Sequence, residues 1–298
     1  MASLMSKVAW VVLRCNGYKR MCSDPARRAA YFEQLRESNR KPTELPARRL
    51  RSRIDREALF GVDTCWFEKG REKLVLFLHG GSYCEPPVVQ HWQFCDRVAR
   101  ESGASVLFPL YKMAPEYTFE TAFAYLHALW QMLVQSHDPG IITLMGDSAG
   151  GGLALAFAEY LRRETALPQP GQIILFSPWL DISMDGEVPA ALAKQDPSLV
   201  REMLRDAGRN WAGGTDVHDY RLSPIYGELR GLAPITLYVG TREIFLPDAR
   251  RFRERCSREG VPLDMIEGDK MNHDYPLYPI PEGNRVRTEV IAMIRQMK

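Results

Sequence analysis

From about residue 60 onward, short apolar runs rich in β-branched residues alternate with longer stretches in which apolar residues recur every three or four positions. The runs are VDTCWF (62–67), KLVLFLH (73–79), SVLFPL (105–110), IITLMG (141–146), QIILFSP (172–178), PITLYVG (234–240) and PLDMIEG (262–268). Runs that are apolar throughout suit strands buried on both faces, as in a parallel sheet covered by helices. The intervening periodicity predicts helices over roughly 118–135, 149–164, 246–259 and 284–297. The expected fold class is therefore α/β, a mostly parallel central sheet flanked by helices.

The first 58 residues have a different pattern. Leu4, Val8, Val11, Val12, Cys15, Tyr18 and Cys22 form one apolar stripe at helical spacing. Asp24-Pro25 then reads as an N-cap followed by proline at the first helical position, opening a helix that carries Ala29, Phe32 and Leu35. Residues 1–58 are expected to form a helical cap or brace, and 59–298 the catalytic domain. Between QIILFSP and PITLYVG lie nearly 60 residues with no clear strand and with helical pieces around 188–212. A stretch of that length on a sheet fold is commonly a lid, so a cap insertion is expected at about 181–230.

Composition narrows the partners. Net charge is +2 overall, yet residues 1–56 hold 14 Lys/Arg against 5 Asp/Glu. Such a basic arm suits a membrane surface or nucleic acid, but the RRLRSR run (48–53) has no interleaved aromatics. The expectation is solvated helix faces, no nucleic acid and no stable membrane insertion. The apolar run Val8–Leu13 is far short of the roughly 20 residues that span a bilayer. The six cysteines show no CxxC spacing and no nearby histidine ligands, so no metal site is expected. They read as reduced thiols of a cytoplasmic protein.

The chemistry gathers around GDSAG. At a glycine content of about 7%, a GxSxG pattern arises by chance in roughly one chain in ten of this size, so context must decide. Here IITLM reads as a strand, GDSAG as a turn and GLALAFAEYLRR as a helix. A nucleophile elbow needs that arrangement, with the serine on a sharp strand-to-helix turn. Upstream, LHGGSYC (78–84) follows another apolar strand, where backbone N–H groups can meet a substrate oxyanion. Ser148 is the candidate nucleophile, with Gly80, Gly81, Ser82 and Ala149 as candidate oxyanion donors.

A serine needs a histidine within hydrogen-bond reach and a carboxylate to orient it. His79 lies within HGG; His91 and His127 fall in helical stretches, His137 in a loop and His218 in the presumed cap. His273, in GDKMNHDYP after the last strand, is the candidate base, and the loop TREIFLPDA after the penultimate strand supplies the acid. Glu243 is the first choice there and Asp248 the reserve. Tyr83 and Asp147 are candidates for the substrate pocket.

HGGSY, LFPLYKMAPEYTFETAF and GDSAGG, together with the acid and histidine segments, make residues 60–298 resemble the hormone-sensitive-lipase-like branch of the α/β-hydrolases, which includes many microbial carboxylesterases. The resemblance implies hydrolysis of short-chain acyl esters through a Ser-His-Glu triad and an acyl-enzyme, without a cofactor, and makes a homodimer plausible. It also shows departures: Ser82 replaces a third glycine, Glu243 replaces the usual aspartate, and HDY replaces HGF. The same machinery could act on an amide, carbamate or formamide. A non-catalytic ligand-binding protein of this fold is the more distant alternative, against which His273 argues.

Overall fold

The computed structural model describes residues 2–298. Three helices lead the chain: α1 (Leu4–Cys15), α2 (Tyr18–Ser23) and α3 (Pro25–Asn39). The alternating core follows as β1 (Ile54–Leu59), β2 (Val62–Phe67), β3 (Leu74–Leu78), α4 (Val89–Ser102), β4 (Ser105–Pro109), α5 (Phe119–Ser136), β5 (Ile142–Asp147), α6 (Ser148–Glu164) and β6 (Gln172–Phe176). The remainder is α7 (Ala190–Gln195), α8 (Arg201–Ala212), β7 (Ile235–Gly240), α9 (Leu246–Glu259), β8 (Leu263–Gly268) and α10 (Pro281–Gln296).

The eight strands form one sheet in the order β1-β2-β4-β3-β5-β6-β7-β8. All pairings from β4 to β8 are parallel, and β2 runs antiparallel to both neighbours. Each central strand is buried on both faces, as its unbroken apolar run requires. Along β3, Leu74, Leu76 and Leu78 enter one core cluster, shared with α5, α6 and α9, while Val75 and Phe77 enter another, shared with α4 and α10.

The register has a direct consequence for chemistry. Leu78 of β3 stands opposite Gly146 of β5, Asp147 opposite Phe176 of β6, and Gly240 of β7 opposite Gly268 of β8. The C-terminal ends of these strands therefore share one edge of the sheet, where α/β folds place their ligands. The loops holding Gly80, Ser148, Ser177, Glu243 and His273 all leave from that edge.

One strand had no sequence signal, and one expectation is corrected here. The sequence pattern contains no signal for β1, because IDREAL is a charged, half-exposed edge strand. The apolar stripe expected to run through Cys22 breaks at Asn16-Gly17, where Gly17 adopts φ 80° and separates α1 from α2. In α1 the stripe also faces outward, with Leu4, Val8, Val11 and Val12 all exposed. The Asp24-Pro25 signature behaves as read: the Asp24 side chain accepts from Arg27 N–H, with Pro25 at the first turn of α3.

Cys22 of α2 packs with Val200 and Met203, at and within the first turn of α8, and Tyr18, Met21, Tyr31 and Phe32 complete that small cluster. Thus the leading helices lie against the segment between β6 and β7. All six cysteines are free thiols, and only Cys15 is exposed. Among the described residues no helix is long and apolar enough to cross a membrane.

Candidate active site

Ser148 stands between β5 and α6 with φ 50°, the left-handed conformation of a sharp elbow. Glycine is obligatory on both sides of it for steric reasons. A Cβ on Gly146 would lie 2.4 Å from the carbonyl oxygen of Gly150, and one on Gly150 would lie 2.1 Å from that of Leu78. The elbow can close only if both positions lack side chains.

The structure brings three of the sequence-selected residues into one hydrogen-bonded line. His273 Nε2 lies 2.9 Å from Ser148 Oγ, and His273 Nδ1 lies 2.7 Å from Glu243 Oε2. All three are buried. The other carboxylate oxygen, Glu243 Oε1, accepts from Gly240 N–H at 2.5 Å and from Ser177 O–H at 2.7 Å. Glutamate thus fills the site with both oxygens engaged. Asp248, the reserve acid, lies elsewhere, beside Asp181 and Arg251. Burial pushes its carboxyl up to about 6.

Ser177 and Asp196 carried no sequence motif. Ser177 joins two loops, because its hydroxyl also accepts the Asp274 N–H at 3.1 Å. Buried Asp196 accepts from Ser198, Leu199 and Ile244 N–H groups, so it ties the segment before α8 to the loop carrying Glu243. Their one available sign was position just after a strand end or before a helix.

The expected oxyanion donors divide. Gly80 is excluded, because its N–H already donates to Asp147 Oδ1 at 3.0 Å. A Cβ there would meet that carboxylate at 2.4 Å. Gly81, Ser82 and Ala149 keep N–H groups with no hydrogen bond to the described residues, and Ala149 lies in the first turn of α6, where N–H groups have no intrahelical acceptor. Gly81 and Ser82 border the same cavity as Ser148.

Asp147 borders that cavity, and both its oxygens are engaged within the protein, so that it acts as a strut for the loop of Gly80. Its Oδ2 lies 2.9 Å from His91 Nε2, while Val88 N–H donates to His91 Nδ1 at 2.9 Å. Since Nδ1 accepts, the imidazole proton resides on Nε2 and points at Asp147. Tyr83, the other pocket candidate, does not border the cavity. It is 1% exposed and stacks on Trp211 at 4.5 Å and on Trp179 at 5.5 Å. Positive φ at Gly81, Ser82 and Tyr83 turns the chain so that this ring goes into the core.

Asp274 is the least expected feature. It occupies a left-handed position, φ 54°, and its Oδ2 lies 3.1 Å from His273 Nε2, the nitrogen that also faces Ser148. Its Oδ1 is buried without a partner. Burial pushes the Asp274 carboxyl well up, and Asp147 and Glu243 push it the same way against the pull of His273. For His273 itself, burial favours the neutral ring, but the surrounding carboxylates of Asp274, Glu243 and Asp196 outweigh it and raise the imidazole to about 10.

The cavity over Ser148 measures about 330 Å³ and is bordered by Leu13, Tyr18, Leu199, Leu277 and Tyr278. Its walls are thus shared by α1, α2, the α7–α8 segment and the loop after His273. A larger groove of about 630 Å³, lined by Arg40, Lys112 and Tyr117, does not reach Ser148 or His273.

A sheet of this topology with a serine elbow at its C-terminal edge defines a hydrolase. The chain belongs to the alpha/beta hydrolase fold family, which it matches over residues 75–277. It is 32% identical to an acetyl-hydrolase of Streptomyces hygroscopicus over 77% of this chain and 78% of that one. It is 33% identical to an esterase of Acinetobacter venetianus, over 64% of this chain and 63% of the relative. Among solved structures it resembles an esterase from the bacterial hormone-sensitive lipase family, with TM-score 0.82 and 28% identity, covering 100% of this chain and 99% of the other. These likenesses place it in the hormone-sensitive-lipase-like branch, among carboxylic ester hydrolases.

Proposed function

We propose that the protein is a serine carboxylesterase for short-chain acyl esters, working through Ser148, His273 and Glu243. The observation that carries this reading is the continuous line from Ser148 Oγ through His273 to Glu243, at 2.9 and 2.7 Å. Ser148 attacks the ester carbonyl as its proton passes to His273 Nε2. The oxyanion is held by the N–H groups of Gly81, Ser82 and Ala149. His273 then gives the proton to the departing alcohol oxygen, leaving an acyl-serine. A water molecule, deprotonated by the same nitrogen, releases the acid and restores the hydroxyl. Glu243 fixes the ring and stabilises the imidazolium formed in each half-reaction.

Two features support the substrate range. The 330 Å³ cavity lies near the lower limit for ligand pockets, which favours small acyl groups. Leu13 and Tyr18 of the leading helices and Leu277 and Tyr278 of the loop after His273 supply its walls. In this reading residues 1–58 and the insertion at about 181–230 act together as a cap on the 59–298 catalytic domain.

The test is hydrolysis of p-nitrophenyl esters of increasing acyl length by the native chain and by Ser148→Ala. Activity should fall by about 10⁴-fold or more in the variant, with an unchanged melting temperature, and acetate or butyrate should exceed laurate in kcat/KM. Near-native turnover by Ser148→Ala would defeat the assignment. Equal turnover of matched amides would move the reading to amide hydrolysis.

A further inference from the structure

Helix α1 is mounted with its apolar side outward. Of nine large apolar side chains exposed among the described residues, five belong to this one helix: Leu4, Met5, Val8, Val11 and Val12, with Leu4 77% and Val12 60% exposed. Their spacing places them on one stripe along a helix of 12 residues. A contiguous apolar surface of this kind usually marks a contact made elsewhere.

The side facing the protein is fastened by polar contacts. Ser3 N–H and O–H donate to the Glu282 carboxylate at 2.6 and 2.9 Å, and Trp10 Nε1–H donates to the Gln195 carbonyl at 2.9 Å. The Arg242 guanidinium lies 5.4 Å above the Trp10 ring. The helix is therefore held firmly by one face while the other has no cover.

Charge narrows what that cover is. Lys7, Arg14 and Lys194 are exposed on or beside the helix, and Arg242 adds a fourth cation at Trp10. Glu282, the carboxylate that touches the helix, is taken up by Ser3. An apolar stripe flanked by cations is the arrangement of helices that lie in the plane of an anionic lipid surface. The opposite side of the same helix contributes Leu13 to the wall of the cavity over Ser148.

We propose that α1 docks the protein on an anionic lipid surface, its Leu4–Val12 stripe entering the headgroup boundary while the opposite side of the helix continues to line the cavity over Ser148. The docking does not depend on hydrolysis, so it can be tested with chemically inactive protein.

The experiment is co-sedimentation of full-length Ser148→Ala protein with vesicles of phosphatidylcholine alone or with 30 mol% phosphatidylserine, a composition that makes the surface anionic. Binding should be at least tenfold tighter on the anionic vesicles and should weaken with added salt. Val8→Glu combined with Val12→Glu should lower it by tenfold or more. The same pair of substitutions in the active chain should leave hydrolysis of water-soluble p-nitrophenyl acetate unchanged. Leu4→Ser with Val11→Ser serves as a second, milder pair. Absence of binding to the anionic vesicles, or equal binding by the double variants, overturns the proposal. So does a dimer in vesicle-free solution that the double variants dissociate, which would assign the stripe to a second copy of this chain.

Discussion

Replacing Asp274 with asparagine should make this hydrolase a better catalyst at neutral pH. The base must offer a free lone pair on Nε2, and any proton held between that nitrogen and the Asp274 carboxyl denies it to Ser148. Unit charges 3.1 Å apart attract by about 5 kcal/mol at an effective dielectric of about 20. Part of that is lost because burial already disfavours the ionised Asp274 carboxyl. If only a quarter remains, the loss of the carboxylate lowers the proton affinity of His273 by about one pH unit, or about 1.4 kcal/mol. Asn keeps the size of the side chain and tolerates the left-handed backbone at this position. Glu243 and Asp196 stay in place and continue to favour the imidazolium, and Asp147 keeps its bond to His91.

The sign is fixed by which form works. Activity depends on the deprotonated ring, so in the native chain kcat/KM rises with pH through an alkaline limb set by the His273–Asp274 pair, for which the imidazole lies at about 10. In Asp274→Asn the limb shifts towards acid by at least one unit. At pH 7 kcat/KM then rises about tenfold, and the advantage vanishes at the alkaline plateau. The assay is a pH profile of p-nitrophenyl acetate hydrolysis for both proteins, with Asp274→Gly as a second variant. Superimposable limbs would refute the reasoning.

Three other outcomes follow from the geometry. His91→Ala removes the donor that holds Asp147 against the oxyanion loop, so kcat should fall by roughly 10²-fold with little change in KM, and His91→Gln should restore part of it; a KM effect alone would count against the strut. Gly150→Ala drives a methyl group into the Leu78 carbonyl and should cost about 3 kcal/mol or more in urea unfolding, if the chain folds at all. Glu159 is fully buried with neither carboxylate oxygen bonded, and burial pushes its carboxyl well up against the pull of Arg255 and Arg163. A carboxyl raised in the folded state contributes stability at acid pH that is lost as pH climbs from its unfolded value towards its folded one. Glu159→Gln should therefore raise the melting temperature more at pH 8 than at pH 5, and equal shifts at both would contradict this.

What could be read from the chain was whatever the chain carries in a short contiguous stretch. The strands from 62 to 268 are uninterrupted apolar runs because a doubly covered sheet demands it. Ser148 and His273 sit at strand ends that the alternating pattern already marks. Contacts between remote segments were not legible. Gly80 looks free beside its neighbours, and only the fold brings Asp147, 67 positions later, onto its N–H. Tyr83 looks like a pocket residue until three successive positive φ angles bury it. The stripe of α1 was visible as a period, but periodicity names a face without saying which way the fold turns it. Asp274 was visible as a departure from the family pattern, whereas its approach to Nε2 depends on a left-handed backbone that no motif encodes.

The loop that carries Gly81 and Ser82 ends on Glu85, and this short stretch is gripped from outside the sheet. Tyr18 of α2 and Tyr31 of α3 both donate their hydroxyls to the Glu85 carboxylate, at 3.0 and 2.7 Å, while Asn39 at the end of α3 donates to the Cys84 carbonyl at 2.7 Å. Any movement of these helices must break or drag those bonds, and with them the loop that carries Gly81 and Ser82. The positions of the leading helices and of that loop are thus tied to one another.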